Sequence, residues 1–499
     1  MNHNSKSRLS TLLAVTTFVA GITAATLVTS SVAWGACAGT GTAMDASTLT
    51  LPGVAQAIGA PAAWAAGYDG AGVDVAVIDT GVDAVPGLAS AGKVVDAIDL
   101  SFDATSPSVR YRDAFGHGTH MSAIIAGDSS GGPLTAGVAP KARIVNVKIG
   151  AGDGAVDVSQ VIAALDWVVQ NRTANGRNIR VISLSYDTDA TTDYVTDPLS
   201  HAVENAWKAG IVVVVSGGND GRGAKTLGNP ARNPFVIAVG GSTWDSQRLT
   251  FKIPSWSSTG DGVRNPDFVA PGDLVAGLRV PGSYLDTTYP GARVYDVSTC
   301  TNLFRGSGTS QAAAVVSGAA AILLQQRPSL TPDQVKALLA STAKPMGMPV
   351  TQQGSGMINV GVAMLAPTPT TTQTFTRSTG TGLLEAARGT YHVANSATDV
   401  LTGEYDAFLS SFSASGWATA SNNRTSWSNL TFDAAGRFAT GSWQGSSWSG
   451  SSWSGSSWSG SSWSGSSWSG SSWSGSSWSG AKWTSSFGGK PMWVGVGWR

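Results

Sequence analysis

Three short segments of the sequence carry residues that could act together in nucleophilic catalysis. Asp79 ends an apolar run, His117 stands between two glycines, and Ser310 follows a glycine-rich turn. A serine hydroxyl is a poor nucleophile unless a base removes its proton, and a histidine can be that base when an acid holds its second ring nitrogen. The three residue types therefore predict acyl-transfer chemistry, with Ser310 as nucleophile, His117 as base and Asp79 as orienting acid.

Each segment taken alone also has an ordinary structural explanation. Asp79 could be a turn residue, His117 a core histidine with its bonds satisfied, and Ser310 a plain helix N-cap. The combination of one Asp, one His and one Ser, each in a glycine-bounded turn, favours the catalytic interpretation. Ser310 would lie near the N-terminus of an alanine-rich helix, where the helix dipole favours developing negative charge.

A fourth segment predicts a site for that negative charge. The all-valine run at residues 212–215 ends in Ser216-Gly217-Gly218-Asn219. The Asn219 amide and the backbone N–H of Ser310 could both donate to the oxyanion of a tetrahedral intermediate. The alternative, a simple turn asparagine, is favoured only if the other three segments are disregarded.

Short Val/Ile-rich runs alternate with helical patterns along residues 51–366, and these elements must position the four segments. Such continuous apolar runs are typical of strands that are covered on both faces, so the pattern predicts a parallel sheet in an α/β domain. Functional groups of such a sheet collect at the carboxyl ends of its strands. The predicted strands are residues 73–78, 144–149, 181–184, 211–215 and 236–239, and the predicted helices are residues 159–171, 199–209 and 331–343.

These blocks resemble the subtilisin-like serine proteases (the S8 or subtilase family). The motifs Asp79-Thr80-Gly81, His117-Gly118-Thr119-His120 and Gly308-Thr309-Ser310, in this order, are specific to it. The resemblance covers about residues 52–364, with supporting stretches at residues 137–142, 236–241 and 269–272. It implies a three-layer α/β fold with a mostly parallel seven-stranded sheet, followed here by a low-complexity Trp/Ser/Gly repeat tail.

The resemblance also implies where a peptide substrate binds. Substrates of the family lie extended beside two strand segments, which correspond here to the stretch with Ser183, Leu184 and Ser185 and to the stretch with Gly217 and Gly218. We expect these five residues to contact the substrate.

The sequence departs from the family pattern at two places near the expected site. Gln311 follows the predicted nucleophile, where the family usually has Met. Ser185-Tyr186-Asp187 replaces the usual Ser-Leu-Gly of the substrate strand. The second departure generates a hypothesis, because a carboxylate at Asp187 would favour a basic substrate residue by charge pairing.

The function implied by the resemblance is that of a secreted serine endopeptidase acting on protein or peptide substrates through an acyl-enzyme intermediate. No cofactor is required for this chemistry, and a monomer is expected. Structural calcium is common in the family, but no ligands are assigned and no metal site is predicted. The acidic residues Asp96, Asp99 and Asp103 are interpreted as a solvated loop.

The composition excludes other classes of function. Lys plus Arg and Asp plus Glu both total 31, and a net charge of zero argues against nucleic acid or an anionic membrane as the main partner. The hydrophobic share of 42% is enough for a large core. Two cysteines cannot hold a disulfide scaffold; a Cys37–Cys300 bridge and two unpaired thiols remain open alternatives.

The N-terminal residues 1–36 have the pattern of an export signal, with Lys6 and Arg8 before a run of apolar and small residues. This predicts an extracellular protein; a retained anchor and cell-surface retention are the alternatives. A short segment, residues 37–50, precedes the expected catalytic domain at residues 51–365. Many secreted relatives have a longer inhibitory propeptide there, so either folding needs none or the C-terminal region substitutes for it.

The C-terminal part has a different composition. A Pro/Thr-rich linker at residues 366–375 and a stretch without clear periodicity at residues 376–440 precede a Trp-rich tail at residues 441–499. Within the tail, one Trp recurs every five residues from Trp443 to Trp483. Period five matches neither helix nor strand, which leaves disorder and a stacked array of Trp as alternatives.

The tail resembles those of actinobacterial subtilases. Its Trp faces could serve cell-wall binding or self-association. The alternative function is accordingly a surface or matrix repeat protein whose subtilase domain mainly performs self-processing.

Overall fold

The computed structural model describes residues 41–448, except residues 105, 397–398, 409, 433–437 and 443–446. The expected export signal, Cys37 and the Trp repeat beyond residue 448 lie outside the described residues. The α-helices of the described part are α1 (Leu51–Ala57), α2 (Ala60–Ala65), α3 (His117–Ala126), α4 (Val158–Asn171), α5 (Pro198–Lys208), α6 (Tyr284–Thr288), α7 (Thr309–Gln326), α8 (Pro332–Thr342), α9 (Val350–Gln353), α10 (Val360–Ala363), α11 (Leu384–Arg388) and α12 (Ala414–Asn422).

The strands divide into a central sheet, a smaller sheet and two short tail sheets. They are β1 (Thr42–Ala43), β2 (Leu49–Thr50), β3 (Asp74–Asp79), β4 (Val94–Asp99), β5 (Arg143–Lys148), β6 (Ile179–Leu184), β7 (Val212–Ser216), β8 (Ile237–Asp245), β9 (Thr250–Lys252), β10 (Phe268–Pro271), β11 (Val275–Leu278), β12 (Arg293–Tyr295), β13 (Asn302–Gly306), β14 (Ala394–Ser396), β15 (Asp399–Val400), β16 (Ser428–Phe432), β17 (Phe438–Ser442) and β18 (Ser447–Trp448).

The central sheet contains seven parallel strands in the order β10-β8-β7-β6-β3-β5-β4, and β9 adds to β8 in the antiparallel direction. Every residue of β3 and β7 is buried, so both faces of the sheet are covered. Helices α3 and α7 pack against each other, as do α4 and α5, and both pairs contact strands of the sheet. The predicted α/β fold with a mostly parallel seven-stranded sheet is confirmed.

The five predicted strands all form, with bounds that shift by a residue or more. The predicted helices correspond to α4, α5 and α8, and the sequence signals at their ends explain where they begin. Asp157 caps α4 and Thr331 caps α8, each in a capping box with the Gln three residues later. No helix of the described residues is both long and apolar enough to cross a membrane.

The smaller sheet has the order β1-β12-β13-β11-β2 and flanks the turn that leads into α7. Its strand β13 ends at Gly306, directly before Ser307-Gly308 and the first residue of α7. Cys300, just ahead of β13, is disulfide-bonded.

The segment after residue 376, in which the sequence shows no periodicity, packs on helix α4. Arg388 of α11 is fully buried, and its Nε donates to Asp157 Oδ2 at 2.6 Å. Arg388 also donates to the carbonyl oxygens of Gly403, at 2.6 Å, and Tyr405. The C-terminal segment therefore supplies the counter-ion for the carboxylate that caps α4.

Two tryptophans continue this contact along α4. Trp417 of α12 is fully buried, and its Nε1 donates to Asp166 Oδ2 at 2.7 Å. Ser421 Oγ donates to the other oxygen of Asp166 at 2.6 Å. Trp427 Nε1 donates to the Ala163 carbonyl oxygen at 3.2 Å. Burial raises the pKa of Asp166 to about 6 despite these donors.

We expect the substitution Arg388→Met to destabilise the protein by about 3–5 kcal/mol, because it leaves the Asp157 carboxylate buried without a cation. Urea unfolding followed by tryptophan fluorescence measures this change. The matched control is Arg112→Met, which removes an exposed partner of Asp83 (Arg112 side chain 65% exposed) and should cost less than about 1 kcal/mol. Equal losses in both variants would contradict a structural role for the Arg388 contact.

Candidate active site

The carboxyl ends of three neighbouring strands bring the candidate residues to one edge of the sheet. Strand β3 pairs with β6, and β6 pairs with β7, all in parallel. Asp79 is the last residue of β3, Ser185 follows β6 and Gly217 follows β7. The sequence motifs therefore share an edge because the strands that precede them are adjacent and run in the same direction.

Asp79 and His117 form a buried hydrogen-bonded pair. His117 Nδ1 lies 2.8 Å from Asp79 Oδ1 and 3.0 Å from Oδ2, and the two side chains are 0% and 2% exposed. A carboxylate can only accept, so Nδ1 carries the proton of the neutral ring and the basic lone pair is on Nε2. This is the tautomer that a general base needs.

The carboxylate of Asp113 ties the loop after Asp79 to the start of the His117 helix. Its Oδ1 accepts from Thr80 Oγ1 and from Gly116 N–H, and its Oδ2 accepts from Thr119 N–H, each at 2.7 Å. Asp113 is fully buried, and this burial raises its pKa. Sequence reasoning missed Asp113, although an acidic residue just ahead of a helix is a recognised capping signal.

The glycine after His117 is required by a close approach of two chain segments. A Cβ at Gly118 would come within 2.2 Å of the Gly81 carbonyl oxygen. Gly118 N–H also donates to Thr80 Oγ1 at 2.9 Å. Any larger residue at position 118 would push helix α3 away from Asp79.

Ser310 is the second residue of α7, and it is 5% exposed. Helices α3 and α7 pack against each other, and each has its functional residue in the first turn. The turn before Ser310 is held by Gly308 N–H, which donates to the Gly272 carbonyl oxygen at 2.8 Å, and by Ser307 Oγ, which accepts from Leu274 N–H at 2.9 Å.

Asn219 is held in place by the residue that precedes Ser310. Its Oδ1 accepts from Thr309 N–H at 2.9 Å and from Thr309 Oγ1 at 3.1 Å. Because both bonds use the carbonyl end of the amide, the donating Nδ2 end is directed away from Thr309. Thr309 belongs to the motif recognised in the sequence, but its role in orienting Asn219 was missed.

The five predicted substrate-contacting residues lie at the same edge. Ser183 and Leu184 end β6, Ser185 follows, and Gly217 and Gly218 follow the neighbouring β7. Ser183 and Ser185 are 2% and 3% exposed.

Backbone groups of the two glycines are engaged within the protein. The Gly217 carbonyl oxygen accepts from Gly228 N–H at 3.2 Å, and the Gly218 carbonyl oxygen accepts from Ser258 N–H at 3.0 Å. Because these two carbonyl oxygens already accept hydrogen bonds, we expect the glycines to serve a bound substrate mainly by letting its backbone approach closely.

Gln311, which stands where a Met was expected, points into the protein. It is 0% exposed, and neither of its amide atoms has a hydrogen-bond partner within the described residues. The neighbouring residues of α7 are buried as well, because this helix packs on strands β6, β7, β8 and β10.

The interpretation of Asp96, Asp99 and Asp103 as a solvated loop is wrong, because Asp96 and Asp99 belong to strand β4 and Asp99 is buried. All three carboxylates accept structural hydrogen bonds. Asp96 accepts from Asn146 Nδ2 at 2.8 Å, Asp99 accepts from Tyr111 N–H at 2.9 Å, and Asp103 accepts from Gly152 N–H at 2.7 Å. In the part of the chain that the structure describes, no three His, Cys, Asp or Glu residues are grouped so that they could hold a metal ion.

His120, one turn after His117, remains neutral at physiological pH. Its Nε2 lies 3.0 Å from the Phe304 carbonyl oxygen, and the ring is fully buried. Burial, together with nearby His117, lowers the pKa of His120 to about 4.

The low pKa of His120 predicts a pH dependence of stability. Above pH 6.5 the ring is neutral in both the folded and the unfolded state; between about pH 6.5 and 4 only the unfolded state binds a proton, so stability falls with pH. Over this pH interval, the free energy of unfolding of the variant His120→Gln should therefore fall by roughly 3 kcal/mol less than that of wild type. Urea unfolding at a series of pH values measures the difference, and parallel curves would contradict the assignment.

The structure thus contains a buried Asp-His pair, a serine in the first turn of a packed helix and an oriented Asn. The subtilase family model matches residues 70–382, and the chain belongs to this family.

Individual relatives agree with this assignment. The serine protease AprX of Bacillus subtilis (strain 168) is 38% identical over 282 residues, which are 54% of this chain and 61% of AprX. Subtilisin BL of Lederbergia lenta is 34% identical over 315 residues, 63% of this chain and 98% of that protein.

A solved structure with a similar fold is that of fervidolysin from Fervidobacterium pennivorans, a keratinolytic enzyme related to subtilisin. The TM-score is 0.50 at 26% identity, and the match covers 64% of this chain and 46% of fervidolysin. The matches thus span about three fifths of AprX and under half of fervidolysin. The residues beyond position 382 lie outside the family match.

Proposed function

We propose that the protein is a serine endopeptidase that hydrolyses peptide bonds through an acyl-enzyme formed on Ser310. The observation that carries this proposal is the buried pair of Asp79 and His117, which fixes a basic Nε2 at the start of a helix packed against the Ser310 helix. Membership of the subtilase family supports the same assignment.

In the proposed acylation step, His117 Nε2 takes the proton of Ser310 as Oγ attacks the substrate carbonyl carbon. Asp79 keeps the ring in the required tautomer and stabilises its cationic form. Asn219 Nδ2 and the Ser310 N–H donate to the oxyanion, with Thr309 holding the Asn219 amide in orientation. His117 then returns the proton to the leaving amine.

In the proposed deacylation step, a water molecule attacks the ester carbon while His117 again acts as base, and the same donors hold the second oxyanion. Ser310 recovers its proton and the new carboxylate departs. In each of these steps the acid, the base and the oxyanion donors are side-chain or backbone groups of the protein.

We also propose that the enzyme acts outside the cell on protein or peptide substrates. The disulfide at Cys300 supports this location, because disulfides persist in oxidising compartments. The export-signal pattern of residues 1–36 supports it independently.

A serine-reactive fluorophosphonate should label the wild-type protein and leave Ser310→Ala unlabelled, because only an activated hydroxyl attacks the probe. Gel fluorescence and peptide mass mapping locate the label. Ser317→Ala, which changes another buried serine of α7 whose Oγ donates to the Ala313 carbonyl oxygen, is the matched control and should still be labelled. Absence of label from correctly processed, folded wild type would contradict the proposed function.

The variant Asn219→Ala should lower kcat by about 100- to 1000-fold with little change in KM, the loss that follows removal of the oxyanion-hole Asn of a subtilisin. Steady-state kinetics with a chromogenic peptide measure both constants. A change confined to KM would show that Asn219 binds the ground state and not the oxyanion.

A further inference from the structure

Asp187 places a carboxylate beside the expected oxyanion hole. It lies two residues beyond Ser185, and its Oδ2 faces the backbone of Gly228 and Gly218. A Cβ at Gly228 would come within 2.3 Å of that oxygen, and a Cβ at Gly218 within 3.3 Å. Gly218 directly precedes Asn219, so the carboxylate lies next to the segment that carries the proposed oxyanion donor.

This carboxylate has no compensating partner in the described residues. No hydrogen bond or ion pair within them reaches Asp187, whereas Asp79, Asp113 and Asp157 each have several donors. The charged groups that act on Asp187 are the carboxylates of Asp220 and Asp189. Burial, followed by repulsion from these two groups, raises the pKa of Asp187 to about 7.

The position of the carboxylate identifies the part of a substrate that reaches it. The substrate carbonyl bound at Asn219 belongs to P1, the residue on the acyl side of the cleaved bond, and its side chain leaves the adjacent carbon atom. A carboxylate beside Gly218, the residue before Asn219, is therefore near enough to the P1 residue for a long P1 side chain to reach it. A long cationic side chain would supply the charge and the hydrogen-bond donors that the protein does not provide.

The C-terminal segment completes the surroundings of this carboxylate. Thr188 Oγ1 donates to the Ala387 carbonyl oxygen at 2.9 Å, and Thr390 N–H donates to Asp189 Oδ1 at 2.7 Å. The next residue, Tyr391, is partly buried; burial and the carboxylates of Asp187 and its acidic neighbours raise its pKa. These residues lie beyond position 382, where the family match ends.

We propose that Asp187 is the counter-ion for a lysine or arginine side chain at P1, in a subsite that the segment at residues 387–391 helps to form. The inference rests on the proposed function, since it concerns the specificity of the acylation step. It predicts a cleavage preference set partly by residues outside the family domain.

The test compares peptide substrates that differ only in the P1 charge, arginine against its neutral analogue citrulline and lysine against norleucine. At pH 8.5 the wild-type kcat/KM should be at least tenfold higher for the charged member of each pair, as expected for a hydrogen bond to a charged group. Asp187→Asn should reduce both ratios to within about twofold. The matched control Asp273→Asn makes the same charge change at a carboxylate that follows β10, and it should keep the wild-type ratios.

Fluorophosphonate labelling of each variant separates the two levels of the inference. Labelled wild type with unchanged ratios in Asp187→Asn would overturn the P1 assignment and leave the proposed function intact. Wild type that is neither labelled nor active on any peptide would overturn both. Labelling of Asp187→Asn by the fluorophosphonate is the expected sign that the variant is folded.

The pH profile supplies a readout that an altered fold would not imitate. The arginine-to-citrulline ratio of wild type should rise as pH increases through about 7, because pairing needs the ionised Asp187. Any pH effect that is common to both substrates cancels in the ratio. A ratio that does not change with pH in wild type would contradict the role of Asp187.

The contribution of the C-terminal segment is tested with Tyr391→Ala. Loss of the ring would admit water to Asp187 and weaken its pairing, so KM for the arginine substrate should rise several-fold while kcat stays near wild type. Tyr405→Ala is the matched control, since that side chain lies in the same segment and is 54% exposed. An unchanged KM in Tyr391→Ala would remove residues 387–391 from the proposed subsite.

Discussion

The carboxylate of Asp113 is the contact on which the geometry of the site depends. It accepts hydrogen bonds from the loop after Asp79 and from the first turn of the His117 helix, so it fixes these two segments relative to each other. Asp113 thereby holds the end of β3 and the start of α3 at hydrogen-bonding distance, and no substrate is needed for this. The cost of burying this charge is offset by three donors, two of which are backbone N–H groups of the helix terminus.

The sequence predicts the parts of the site that are local in the chain. Strand ends, glycine-bounded turns and helix caps depend on a few adjacent residues, so Asp79, His117, Asn219 and Ser310 could be assigned to such positions. The contacts that orient them could not, because they join segments far apart in sequence: Thr309 is 90 residues from Asn219. Strand pairing in a parallel sheet also joins segments that are distant in sequence. The sequence therefore predicted that the strands exist, but the observed bounds differ from the predicted ones.

The C-terminal segment was missed for a different physical reason. Its contacts with the domain are made by single large or charged side chains, Arg388, Trp417 and Trp427, each bonded to a group of helix α4. Such anchors produce no apolar stripe with helical period, which is the signal that sequence reasoning uses.

The contact between Arg388 and Asp157 has a consequence for the order of events during synthesis. Asp157 leaves the ribosome 231 residues before its counter-ion. Until Arg388 follows, the first turn of α4 contains a carboxylate that either stays in water or is buried at a cost of several kcal/mol. Packing around the N-terminus of α4 is therefore complete only after the segment with Arg388 has joined the domain. A chain cut between α4 and Arg388 could keep its central sheet but would lose the charge partner of the α4 cap.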